Sequence, residues 1–225
     1  MTRADSWLQW GWSFVRPALP DAPADVIEIG CGEGGGFVPA LERDGYRVTG
    51  IDPDAPAGPA YLRAEFETYD PPRPVDAVVA STSLHHIADL DMAIGRLAAA
   101  LRPGGAVVVI EWASERFDED TARWCFARLP IPAPGEEPGW LAHSREHWLE
   151  SGQPWAQFHT AWRAAEGLHD GQAVVRALDA RFTRLSCTEG PYFFADLGIP
   201  ESAEQAAIAA GQIQATGIRY VGTLA

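Results

Sequence analysis

Val26-Ile27-Glu28-Ile29-Gly30-Cys31-Gly32-Glu33-Gly34-Gly35 carries a short apolar run into glycines at alternate positions, and its reading decides the fold. The run reads as a buried strand, and the glycines let the backbone pass close to a ligand where a Cβ would collide. Gly30, Gly32 and Gly35 also fit the GxGxxG spacing of dinucleotide-binding folds, so the loop points to a nucleotide-like ligand without choosing one. Asp52 ends the next strand, in Gly50-Ile51-Asp52-Pro53, where a carboxylate can accept from both hydroxyls of an adenosine ribose. NAD sites share that feature as well.

Outward from this stretch, short β-branched runs alternate with amphipathic ones from Asp25 to Trp112, the pattern of parallel strands joined by helices. Strands are predicted at Val26–Ile29, Tyr46–Ile51, Ala60–Ala64, Val75–Ser81 and Ala106–Trp112. Leu90, Ile94, Leu97 and Leu101 form one apolar stripe on a helix that Arg102-Pro103-Gly104-Gly105 ends. Three prolines between Pro53 and Pro59 reduce the connection between the second and third strands to a turn. The chain divides into a helical lid (1–24), a cofactor-binding core (25–112), a helical cap (113–180) and carboxyl-terminal strands with a helix (181–225), all in one domain.

A net charge of −14 without a Lys/Arg cluster argues against nucleic acid, because phosphate contacts supply most of that affinity. No apolar run approaches the ~18 residues that cross a membrane, and the amino terminus lacks a secretory pattern, so a cytoplasmic protein is expected. Cys31, Cys125 and Cys187 lie far apart and read as reduced thiols.

Three features separate the two ligand readings. Glu28 with Gly30 and Gly32, Leu101-Arg102-Pro103-Gly104-Gly105, and Ser83-Leu84-His85-His86-Ile87-Ala88-Asp89 together resemble the motifs of class I S-adenosylmethionine-dependent methyltransferases over residues 25–112. The resemblance implies a Rossmann-like, mostly parallel seven-stranded sheet with helices on both faces. Its antiparallel last strand would be Ile218–Thr223, beside strand five and paired with Phe182–Cys187. It also implies S-adenosylmethionine as cofactor: the methionine part on Glu28, Gly30, Cys31 and Gly32, the ribose on Asp52 and Pro53, the adenine near Glu65 and Phe66, and Ser81 at the end of strand four. Many relatives carry an Asp where this chain has Arg63, so Glu65 would substitute.

Methyl transfer asks mainly for positioning, with a general base where the acceptor must lose a proton. His85 and His86 after strand four, and Glu111 at the end of strand five, are the candidates. His143-Ser144-Arg145-Glu146-His147 matches the HxxEH pattern of zinc proteases but lies outside the organised sheet, so no metal is expected. Tryptophans are absent from residues 13–111 and frequent on either side; Trp10, Trp12, Trp112 and Trp140 are candidates to line a pocket for a small-molecule acceptor, with a satellite core as the plainer role. The rival readings are a non-catalytic cofactor-binding protein and an NAD(P)-dependent oxidoreductase.

Overall fold

The strand β1 (Asp25–Ile29) is buried along its whole length, as its apolar text requires. In the computed structural model, which describes residues 3–131 and 138–225, it pairs in parallel with β2 (Arg47–Ile51) on one side and β4 (Val75–Ser81) on the other. β3 (Tyr61–Leu62) extends the first side and β5 (Leu101–Trp112) the second. The seven-stranded order is β3-β2-β1-β4-β5-β7-β6, with β7 (Gly217–Leu224) antiparallel to both β5 and β6 (Phe182–Gly190). The chain reverses its winding between β1 and β4, and in such sheets ligands bind over the carboxyl ends of the strands at that point.

Successive residues of the central strands serve opposite layers. Ile27, Val78, Val107 and Val109 pack under α3 (Leu90–Ala100) and α7 (Gly171–Asp179). Val26, Val79, Val108 and Ile110 pack under α1 (Arg3–Ala18) and α2 (Val38–Arg43), with Val15 of α1 fully buried. The first helix therefore lies along a sheet face, with Ala4 and Trp7 near its amino end at the carboxyl edge. The Asp89 carboxylate caps α3 by accepting from the Met92 N–H at 2.9 Å.

Most strand boundaries lie within three residues of the sequence reading, and β5 begins five residues earlier. β5 starts at Leu101 because that residue pairs with Val75 before an irregularity, after which Ala77 meets Ala106. β3 keeps only Tyr61–Leu62, since the proline-rich turn before it leaves little length to pair.

After β5 come α4 (Glu119–Phe126), α5 (Trp140–Ser151) and α6 (Trp155–Ala165). Trp112, Phe117, Phe126, Trp148, Trp155 and Phe193 form their shared aromatic core, so most of the later tryptophans hold this layer together. α8 (Phe194–Leu197) and α9 (Glu201–Ala209) connect β6 to β7. Among the described residues no helix is long and apolar enough to cross a membrane.

Candidate active site

A cleft of about 400 Å³ opens over the carboxyl ends of β1, β2 and β4, bordered by Gly30, Gly32, Asp52, Pro53, Glu65, Phe66, Thr82, Ser83 and His86. Gly30 adopts φ +77°, and a Cβ there would overlap the Ser83 side chain, so the close approach of loop and strand end requires glycine. Asp52 Oδ1 accepts from the Asp54 N–H at 2.8 Å, which fixes the carboxylate at the rim. Ile51, Phe66 and Ile87 add apolar surface. An acid at the strand end, an apolar floor and a bare glycine backbone suit an adenosine-bearing ligand, and the volume suits a cofactor. Arg63 is turned to the Ala55 carbonyl (2.5 Å) and is absent from the cleft wall, whereas Glu65 stands exposed on it.

Glu28, Cys31 and Ser81 lie behind this surface instead of on it. Glu28 is 1% exposed; its Oε1 accepts from the Phe37 N–H at 2.8 Å, while Oε2 has no partner among the described residues. Gly36 passes so close, with φ +54°, that a Cβ would strike the Glu28 carboxyl. The acid thus shapes the loop. Burial pushes the Glu28 carboxyl up to about 8, and the Cys31 thiol up to about 12. Because the folded protein keeps the Glu28 proton above the unfolded pKa near 4.5, stability should fall as pH rises from about 4.5 to 8. Buried Glu204, raised to about 7, acts in the same direction. Glu28→Gln should flatten that slope in urea unfolding measured between pH 5 and pH 8; an unchanged slope would contradict the buried neutral acid.

His85 and Glu111 do not present a base to the cleft, contrary to the sequence expectation. Glu111 is fully buried, and its carboxylate gathers the N–H groups of Ser83 (2.9 Å), Leu84 (2.7 Å) and Trp112 (2.9 Å) together with His85 Nδ1 (2.5 Å). Burial pushes this carboxyl up, but His85 and the backbone N–H groups outweigh it and hold it below the ordinary range. His85 is 3% exposed and lies against His86, with ring centres 4.2 Å apart. His86 alone of the three borders the cleft. Desolvation and the neighbouring His85 lower its pKa, which favours the neutral ring.

A second cleft, about 300 Å³, is bordered by Ala4, Trp7, Thr82, Tyr192, Ala195 and Asp196. Thr82 belongs to both clefts, which therefore meet at this residue. It holds φ +52°, the only positive φ outside glycine among the described residues, and a β-branched side chain is strained there. Hydrogen bonds from its N–H to the Ile110 carbonyl and from its hydroxyl to the Ser81 carbonyl, both 2.8 Å, keep it in place. Glu204 collects the N–H groups of Tyr192, Phe193 and Phe194, fixing the other wall.

The four predicted pocket tryptophans are scattered. Trp10 packs on Trp7 and Phe194, and Trp12 on Phe37, so neither borders the two clefts. Trp112 is buried behind Tyr192, stacked at 5.7 Å, and Trp140 donates its indole N–H to Asp196 at 3.2 Å. Trp7 and Tyr192 are the large aromatic residues that border the second cleft. Only the amino-terminal tryptophan cluster hinted at Trp7; no spacing marks Thr82, Tyr192 or Asp196. His143 and His147 are exposed on α5, and among the described residues no three His, Cys, Asp or Glu side chains are grouped to hold a metal.

Comparison with known proteins agrees with this geometry. An uncharacterised methyltransferase of Mycobacterium bovis is 34% identical over 118 residues, 45% of this chain and 59% of the relative. A ubiquinone biosynthesis O-methyltransferase of Bradyrhizobium is 36% identical over 97 residues, 37% of this chain and 38% of the relative. The chain thus spans less than two thirds of the length of either. The crystal structure of an S-adenosylmethionine dependent methyltransferase from Mesorhizobium loti shares the fold with a TM-score of 0.59 at 18% identity, over 98% of this chain and 99% of the other. The family model described as a methyltransferase domain matches residues 8–161, from the first helix through both clefts' strand ends into the cap, and the chain belongs to that family.

Proposed function

We propose that this chain transfers a methyl group from S-adenosylmethionine to a small-molecule acceptor. The observation that carries the reading is the meeting of two clefts at Thr82: one glycine-floored with Asp52 on its rim, the other walled by aromatic rings. Each has the size for a small molecule, and a net charge of −14 opposes a polynucleotide acceptor. The fold and family support a methyl donor over NAD, whose sites share Gly30, Gly32 and Asp52.

When bound, the cofactor supplies an electrophilic methyl on a sulfonium. Asp52 holds the ribose, Gly30 and Gly32 admit the methionine part, and Glu65 and Phe66 flank the adenine. Trp7 and Tyr192 seat the acceptor and exclude water, which is most of what an in-line displacement asks of a protein. Glu111 and His85 fix the 81–86 segment, so Thr82 stays at the junction. His86 is the group on the cleft wall able to take a proton.

A structure with S-adenosylhomocysteine bound tests this arrangement. The ribose should lie against Asp52 with the sulfur directed to Thr82; a sulfur walled off from the Trp7–Tyr192 cleft would overturn it.

A further inference from the structure

Resting on the methyltransferase reading, we propose that His169 is a positioning residue for the cofactor, tying the helical layer after β5 to the wall of the glycine-floored cleft. His169 lies in the short connector (166–170) between α6 and α7, and it reaches the loop after β4 twice. Its backbone N–H donates to the His85 carbonyl at 2.9 Å. Its side chain meets the Ile87 carbonyl at 2.7 Å; a carbonyl can only accept, so Nε2 carries the proton and donates. His86 and Ile87, which both border the cleft, fall between these two bonds.

The connector is itself anchored just beyond the end of β5. Glu115 caps α7, accepting from the Gly171 N–H at 2.8 Å and the Gln172 N–H at 3.2 Å. Arg163 pairs with Asp170 and donates to Ser114 Oγ at 2.9 Å. His169 therefore stands next to a fixed helix start. On the near side of the loop, Glu111 holds the N–H groups of Ser83 and Leu84. The stretch that carries His86 and Ile87 is thus gripped from both ends, by a strand acid and by the helical layer.

His169 is absent from the cleft lining, so its effect passes through the wall it holds. A wall that must be ordered when the ligand arrives subtracts that ordering from the affinity, and a wall already fixed does not. Such coupling is reciprocal: if the connector orders the wall for the cofactor, the bound cofactor must order the connector by the same factor.

Calorimetric titration of the full chain with S-adenosylhomocysteine tests the first half. His169→Leu keeps much of the bulk and removes the side-chain donor, and it should weaken binding by about tenfold. His169→Gln, whose amide N–H can serve the same carbonyl, should recover most of that loss, which a residue that only stabilised the fold would not require. Hydrogen exchange on the unaltered chain tests the second half without a substitution. Saturating S-adenosylhomocysteine should slow the His169 N–H about tenfold more than the amides of α9, which borders neither cleft. Unchanged affinity in His169→Leu, an equal loss in His169→Gln, or a His169 N–H slowed no more than α9 overturns the positioning proposal alone. Failure of S-adenosylhomocysteine to bind the unaltered protein overturns the methyltransferase reading beneath it.

Discussion

Glu111→Ala is expected to lower the stability of the chain by about 3–5 kcal/mol, the usual consequence of removing one partner from a buried charged network. The carboxylate is the shared acceptor for three backbone N–H groups and for His85 Nδ1, all inside the protein. Without it those donors are buried unpaired, each at a cost of about 1–3 kcal/mol, and a side-chain cavity is added. The Ser83 and Leu84 N–H groups belong to the loop that follows Thr82, so the junction between the clefts should loosen and methyl transfer should fall with stability. Urea unfolding reads the first effect. Because the Glu111 carboxyl is held low, its contribution is present above the unfolded pKa and is lost as pH falls through the folded value, opposite in sign to Glu28. A loss under about 1 kcal/mol in Glu111→Ala would show that the network does not hold this loop.

Asp52→Ala is expected to weaken S-adenosylhomocysteine binding by about a hundredfold or more. A carboxylate accepting from two ribose hydroxyls makes two charge-assisted hydrogen bonds of about 1.5–3 kcal/mol each, and about 1.4 kcal/mol is tenfold. Its position is prepared, since Oδ1 is already oriented by the Asp54 N–H. Glu65→Ala should cost under about tenfold, because Glu65 stands exposed and water competes for whatever it accepts. Calorimetry on both variants separates them, and a larger loss in Glu65→Ala would reverse the assignment of the ribose and adenine ends.

The sheet was legible because its central strands are buried on both faces, so Ala77–Ala80 and Ala106–Ile110 appear as unbroken apolar runs. The glycine-floored cleft was legible in part: Gly30, Gly32 and Asp52 stand at the strand ends that border it, whereas Glu28, Cys31 and Ser81 lie behind its wall. Glu111 misled the reading: an acid at the end of a strand looks solvent-exposed until the loop after β4 folds over it. The second cleft had no linear signature, because residues 7, 82, 192 and 196 come from distant segments that meet only at the sheet edge. Tryptophan enrichment follows the helical layer after β5, but a ring that fills a core and one that lines a cleft look the same in sequence, and Trp112 proved to be the former.

The central claim is that the cleft over β1, β2 and β4 takes the methyl donor and not a dinucleotide. Calorimetric titration of the unaltered chain with S-adenosylhomocysteine and with NAD tests it most directly. One-site binding of S-adenosylhomocysteine, with no heat from NAD at the same concentrations, is the predicted result; binding of NAD in its place would contradict it.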